Sequence, residues 1–183
     1  MWTFIKSADK KDSWYQHNQK EIAFWGRSNV GKSSLLNALA NQKIAKVSST
    51  PGRTRLLNYF QSDKGTVIVD LPGYGYAKMS VKEQAYIGNM IGTYLQQNKN
   101  LDTLCILIDS KIGITPIDSE MIDFCMSLNL KVDLIFTKSD KANQSQMHRT
   151  KADLKNLYNN IESTFVSSKT RKNIDKIIEK YNI

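Results

Sequence analysis

Cysteine is scarce in this 183-residue chain: only Cys105 and Cys125 occur, and neither belongs to a CxxC pair. Cys105 lies inside an apolar, strand-like run. No disulfide or zinc site is expected, and two free thiols in a reducing compartment is the reading. Histidine is equally scarce. His17 and His148 have no neighbouring ligand cluster, so each is expected at the surface rather than on a metal. No apolar run approaches the roughly 20 residues that cross a bilayer. Met1-Trp2-Thr3-Phe4-Ile5-Lys6 lacks a long apolar stretch followed by small residues. No secretory signal is expected, and the cytoplasm is the default compartment. No repeat, low-complexity segment or second domain is visible.

Hydrophobic residues make up 40% of the chain and charged residues 23%, as in an ordinary globular domain. The length suits one domain with a full core. The net charge of +9 is uneven. Residues 1–60 hold ten basic and three acidic side chains, 61–130 five and eight, and 131–183 eleven and six. Basic charge at the two ends points to a polyanionic partner such as RNA, or else to a compositional bias toward Lys and Asn.

Strand-like runs alternate with helix-length segments. Ile22 to Trp25 precedes a glycine loop, and Ser33 to Ala40 reads as a helix. Leu56 to Gln61 and Thr66 to Asp70 are strands joined by Ser62-Asp63-Lys64-Gly65, whose turn chemistry makes them antiparallel. Val81 to Gln97 is helical. Leu104 to Asp109 is continuously apolar, as in a buried parallel strand. Lys131 to Thr137 and Thr164 to Ser167 complete the strands. Pro116 opens one helix, Gln144 to Tyr158 forms another, and Asn173 to Tyr181 closes the chain. The expected fold is α/β: a six-stranded, mostly parallel sheet with one antiparallel edge hairpin and helices on both faces. Residues 1–20 form a polar lead-in whose Trp2, Phe4, Trp14 and Tyr15 are expected to pack on the domain, or otherwise to mark a contact surface.

Gly26-Arg27-Ser28-Asn29-Val30-Gly31-Lys32-Ser33 matches GxxxxGK[ST] in full, between a strand and a helix. Backbone N–H groups of such a loop wrap phosphates, and Ser34 continues into the helix. Lys32 supplies a point charge to the β- and γ-phosphates, and the Ser33 hydroxyl suits Mg²⁺. The helix presents its positive end to the anion. Asp70-Leu71-Pro72-Gly73 ends the second hairpin strand. Asp70 would hold the metal through water, and the Gly73 N–H would meet the γ-phosphate. Between them, Ser48 to Arg55 is rich in hydroxyls, with Gly52 and Arg53 flanking Thr54. Thr54 is the candidate that completes the Mg²⁺ shell, and Thr50 is its rival.

Thr137-Lys138-Ser139-Asp140 follows a strand. Its Asp140 carboxylate would accept from guanine N1–H and the 2-amino group. Adenine lacks that donor pair and would leave the carboxylate unsatisfied. The Lys138 stem would cover the ring. Val166-Ser167-Ser168-Lys169 follows the last strand, and the Ser168 N–H would meet guanine O6. Four such segments in order, each after a strand, predict a GTP site.

The strings GRSNVGKSSLLNAL at 26–39, STPGRTRLLNYF at 49–60, DLPGYGYAK at 70–78, TKSD at 137–140 and VSSK at 166–169 resemble the bacterial EngB (YihA/YsxC) family of Era-like small GTPases. The resemblance runs from about Glu21 to the C-terminus, so 21–183 reads as one G domain. It implies a Ras-like P-loop fold and slow Mg²⁺-dependent GTP hydrolysis, carried by Lys32, Thr54 and Gly73. It also implies a role in large ribosomal subunit assembly and a need in cell division and septation. Domains like this one are often monomeric. With no basic tail past Ile183, any RNA contact is expected from the domain itself.

Many GTPases place a water-orienting Gln just after the DxxG glycine, whereas here Tyr74 stands there. Slow intrinsic hydrolysis is therefore expected. An activator such as a ribosomal particle, or a potassium ion, would complete the site. Asn29 occupies the loop position that resembles that of potassium-activated GTPases. Its other reading is a hydrogen bond to the switch backbone.

Overall fold

The computed structural model describes residues 1–45, 55–76 and 78–183. Its elements follow the alternation in the sequence. Strand β1 covers Thr3–Ala8, β2 Glu21–Gly26, helix α1 Lys32–Ala40, β3 Leu57–Gln61, β4 Val67–Asp70 and α2 Val81–Gln97. Then come β5 Leu101–Asp109, α3 Pro116–Ser127, β6 Val132–Thr137, α4 Gln144–Leu157, β7 Glu162–Phe165 and α5 Ile174–Tyr181. The sheet order is β1-β3-β4-β2-β5-β6-β7. Pairings from β4 through β7 are parallel, while β1–β3 and β3–β4 are antiparallel.

Alternation along the central strands divides the core in two. Ala23 and Trp25 of β2, Val67 and Val69 of β4, and Leu104 and Ile106 of β5 face one side. There they meet Ile87, Ile91 and Tyr94 of α2 and Ile122 and Cys125 of α3. Ile22, Phe24, Ile68, Cys105 and Leu107 face the other, against Leu35, Leu36 and Leu39 of α1 and Ile174 and Ile177 of α5. Successive side chains of a strand point to opposite faces, so a strand covered on both sides must be apolar throughout. Each fully buried Leu or Ile contributes about 1.5–3 kcal/mol. Burial also holds both thiols well protonated, pushing Cys105 and Cys125 up to about 12.

Three helices begin with reciprocal caps: Ser80 with Glu83, Thr115 with Asp118 and Asn143 with Gln146. Each satisfies first-turn N–H groups that the helix itself leaves unpaired. α1 has no side-chain cap, which matters for the site below.

Three local expectations are corrected. The sheet has seven strands rather than six, because Thr3–Ala8 of the lead-in pairs antiparallel with β3, and Ser7 Oγ donates to Asn58 Oδ1 at 2.6 Å. The edge strand carries little apolar alternation of its own, so its partner creates it. Trp2 and Trp14 are buried, and Phe4 packs edge-on against Phe60. β7 ends at Phe165, short of Ser167, because Ser167 turns away and its N–H donates to Lys172 O at 3.1 Å. His17 is a buried ring rather than a surface one. It stacks on Tyr15, its Nε2 meets Glu21 Oε1 at 2.9 Å, and Gln19 N–H donates to its Nδ1 at 3.2 Å. The proton therefore sits on Nε2, facing the carboxylate. Glu21 also accepts from the Tyr94 hydroxyl at 2.5 Å and Asn98 Nδ2 at 2.6 Å, so its buried charge is fully partnered.

Candidate functional site

The carboxyl ends of β2, β4, β5 and β6 lie side by side, and the loops that leave them converge there. Open parallel sheets bind ligands at this edge. β2 delivers the glycine loop to the start of α1. At the N-cap of that helix, Gly31 has φ +100, a left-handed conformation that side chains rarely adopt. With no side-chain cap, the first-turn N–H groups of Lys32, Ser33 and Ser34 remain available to an anion. Asn29 is exposed at φ 63 in the same loop, and Val30 is buried beneath it.

β4 runs parallel to β2 with Phe24 opposite Asp70, which brings Asp70 level with the glycine loop. Asp70 is buried and its Oδ1 pairs with Lys32 Nζ. The next residues are bound to the loop. Leu71 N–H donates to Phe24 O at 3.0 Å, Trp25 Nε1 donates to Pro72 O at 2.9 Å, and Tyr74 N–H donates to Gly26 O at 3.1 Å. Ser28 N–H donates to Tyr74 O at 2.9 Å. Gly73 lies so close that a Cβ there would stand 2.9 Å from Gly26 O and 3.4 Å from Ser28 N. Only glycine fits that approach without a backbone shift.

Tyr74 stands where many GTPases carry a water-orienting Gln, and its side chain turns into the core. It packs edge-on against Trp25 with centroids 5.0 Å apart, and its hydroxyl donates to Asp118 Oδ1 at 2.8 Å. Burial and the Asp118 carboxylate push its pKa far above the ordinary phenol value. Asp118, fully buried on α3, joins three parts of the site. It accepts from Tyr74, from the Thr115 cap at 2.6 Å, and faces Arg27 Nε at 3.7 Å. No motif in the sequence marked Asp118, though its place three residues after Thr115 is a capping-box signature.

At the ends of β5 and β6, Lys138 Nζ donates to Asn29 O at 2.7 Å and to Asp109 Oδ2 at 2.8 Å. Its stem passes 3.4 Å from where a Gly31 Cβ would sit. Burial raises the Asp109 pKa, but the bond and charge of Lys138 outweigh it and hold the carboxyl low. Thr137 Oγ1 donates to Val30 O at 2.5 Å. Ser139 is buried, and its N–H donates to Val166 O at 3.0 Å. Ser167 Oγ donates to Asp140 Oδ1 at 2.6 Å, which lowers the Asp140 pKa. The loops that follow β6 and β7 are thus tied to each other and to the glycine loop. An open cavity of about 750 Å³ lies between them, lined by Gly31, Ser34, Thr137, Lys138, Asp140 and Ser168, with Lys169 at its rim. It is large enough for a nucleoside. Gly52, Arg53, Thr54 and Thr50 lie outside the described residues.

Buried Asp70 and the Ser33 hydroxyl are hard oxygen donors, the type that Mg²⁺ takes when phosphates complete its shell. Among the described residues no group of three or more His, Cys, Asp or Glu side chains gathers to hold a metal ion. No helix of the described residues is long and apolar enough to cross a membrane.

Residues 21–138 match the family model described as 50S ribosome-binding GTPase. The chain is 54% identical over 183 residues to the probable GTP-binding protein EngB of Metamycoplasma arthritidis, covering 100% of both. It is 41% identical over 180 residues to its namesake from Clostridium perfringens, covering 96% of this chain and 91% of that one. Among solved structures, a probable GTP-binding protein EngB superimposes with TM-score 0.72 at 26% identity, over 87% of this chain and 95% of that one. Era in complex with MgGDPNP and nucleotides 1506–1542 of 16S ribosomal RNA also superimposes with TM-score 0.72, at 25% identity, over 90% of this chain and 57% of that one. A Ras-like P-loop fold, a guanine nucleotide as ligand and full-length relatives of one kind agree, and the chain belongs to the EngB family of GTP-hydrolysing GTP-binding proteins.

Proposed function

We propose that this GTPase is a slow, nucleotide-gated switch in assembly of the large ribosomal subunit. The carrying observation is the Tyr74 side chain. It is locked on Asp118 and Trp25, so the position that orients the attacking water in many GTPases has no side chain aimed at the phosphates. Such a site holds GTP as a signal until a partner completes it. Gly26 to Ser34 would cradle the phosphates, with Lys32 on the β- and γ-phosphates. Ser33, Thr54 and, through water, Asp70 would hold Mg²⁺, which would neutralise phosphate charge. Gly73 would read the γ-phosphate. Asp140, Lys138 and Ser168 would read guanine.

The polyanionic partner is supported by charge. Lys43, Lys141, Lys169 and Arg171 line the cavity, where Asp140 is the one acid among the described lining residues. Arg171 already faces Asp175 at 3.8 Å, but a neutral guanine would leave the lysines there to meet RNA phosphates. The matching family model is described as ribosome-binding, and Era has been solved with ribosomal RNA. The proposal places the chain in the cytoplasm as a monomer. The test is capture of partners by the GTP- and GDP-bound forms, with and without ribonuclease. A ribonuclease-sensitive, GTP-dependent ribosomal precursor is expected. Ribonuclease-resistant capture would favour a protein partner in septation, for which the apolar groove between α2 and α3, around Gly88, Gly92 and Ile117, offers a surface.

Potassium is proposed as a further activator near Asn29. Turnover is expected to be several-fold faster in KCl than in NaCl for the parent chain and equal in both for Asn29→Ala. Equal rates in all four assays would remove the ion from the mechanism.

A further inference from the structure

The Gly73 amide already has an acceptor within the chain. Its N–H donates to the Tyr76 hydroxyl at 3.1 Å, and a Cβ on Gly73 would stand 2.9 Å from that same oxygen. The hydroxyl therefore sits over the donor that reads the γ-phosphate in the function proposed above, a reading on which this inference rests. One N–H makes one short, straight hydrogen bond. A phosphoryl oxygen and the Tyr76 hydroxyl exclude each other there. We propose that Tyr76 is a specificity-determining residue, whose hydroxyl competes with the γ-phosphate for Gly73 N–H and sets the preference of the site for GTP over GDP.

The competition is graded by charge. Burial and the neighbouring Asp70 carboxylate raise the Tyr76 pKa, so its hydroxyl is a neutral acceptor. A phosphate oxygen is charged, and charge-assisted bonds are roughly twice as strong. GTP therefore displaces the hydroxyl, at the cost of the bond it breaks. GDP does not reach Gly73 and leaves the pair intact.

The displaced ring has somewhere to go. Tyr76 lines an apolar cavity of about 420 Å³ between α2 and α3, and Gly88 and Gly92 line it too. At Gly88 even a Cβ would meet nothing within 4 Å. The backbone is held meanwhile, because Gln84 Nε2 donates to Tyr76 O at 3.3 Å and to Met79 O at 2.9 Å. The proposed displacement is a rotation of the Tyr76 side chain.

The test is Tyr76→Phe, which keeps the ring and removes the oxygen. The full chain, with Mg²⁺, is titrated separately with a non-hydrolysable GTP analogue and with GDP. The analogue is expected to bind about two- to tenfold more tightly than to the parent, with GDP affinity unchanged. Tyr76→Ala is expected to move the ratio in the same direction. An equal change for both nucleotides would mark a structural role and overturn the proposal. So would weaker binding of the analogue, which would make the hydroxyl a donor to the phosphate. Failure of the parent to bind either nucleotide would instead remove the phosphate-site reading, and this inference with it.

Discussion

Asp140→Asn is expected to lower GTP affinity about 100-fold or more and to raise XTP affinity. Guanine offers two adjacent donors, N1–H and the 2-amino group, and a carboxylate accepts both. A carboxylate has about four lone-pair sites, so Ser167 Oγ at 2.6 Å fixes its plane without exhausting it. Asparagine would turn an amide N–H₂ toward a donor. One charge-assisted bond, at about 1.5–3 kcal/mol, is then lost to a donor–donor clash, and the other weakens to a bond with a neutral amide oxygen. Xanthine carries a carbonyl where guanine carries the amine, so the amide finds an acceptor there. Parallel titrations with GTP, XTP and ATP check this, and unchanged GTP affinity would refute the role of Asp140. The Ser167 bond also sets a pH dependence. It lowers the Asp140 pKa, so the carboxylate stays ionised through the mildly acidic range. Base recognition is expected to persist there and to fail only as pH falls through that lowered value.

Lys32→Ala has two separable consequences. The first is on nucleotide: losing a charged donor to the phosphates is expected to weaken GTP and GDP by about 10- to 100-fold. The second is on stability. Lys32 and Asp70 are both largely buried, and removing one member of such a pair strands the other, at a cost of about 3–5 kcal/mol. For a chain of this size each kcal/mol lowers Tm by about 2–4 °C. Adding Asp70→Asn removes the stranded charge. The double variant is expected to recover most of the Tm and none of the nucleotide affinity. Thermal unfolding and nucleotide titration on the parent, single and double variants check both. A single variant that binds GTP like the parent would exclude Lys32 from the phosphate site.

Much of the sheet was legible because its signals are local. β5 reads as buried from its apolar run at Leu104 to Ile108, although the strand begins earlier, at Leu101, and α2 reads as a helix from Val81 to Gln97, with Ser80 and Glu83 forming a capping box at its N-terminus. The hairpin of β3 and β4 follows from four turn residues. The glycine loop and the tetrapeptides after β6 and β7 stand out in the sequence because the chemistry expected of them needs contiguous residues. β1 was not, because an edge strand with mixed polarity becomes a strand only where β3 supplies its hydrogen bonds. The His17 ring is buried by Glu21 and by Tyr15, and spacing gives no hint of that stacking.

The glycine loop, Asp70, Gly73 and Asp140 could be placed from residue order alone, since each is a short string whose backbone and side chains act together. The fate of the two tyrosines after Gly73 could not. They are two residues apart in one loop, and nothing local distinguishes them. Tyr74 goes to the core because Asp118, 44 residues away, accepts its hydroxyl and Trp25 covers its ring. Tyr76 remains at the phosphate edge because Gly73 N–H lies within reach of its oxygen. Local chemistry named the groups proposed to meet the nucleotide. The direction in which their neighbours point was decided by partners that only folding brings together.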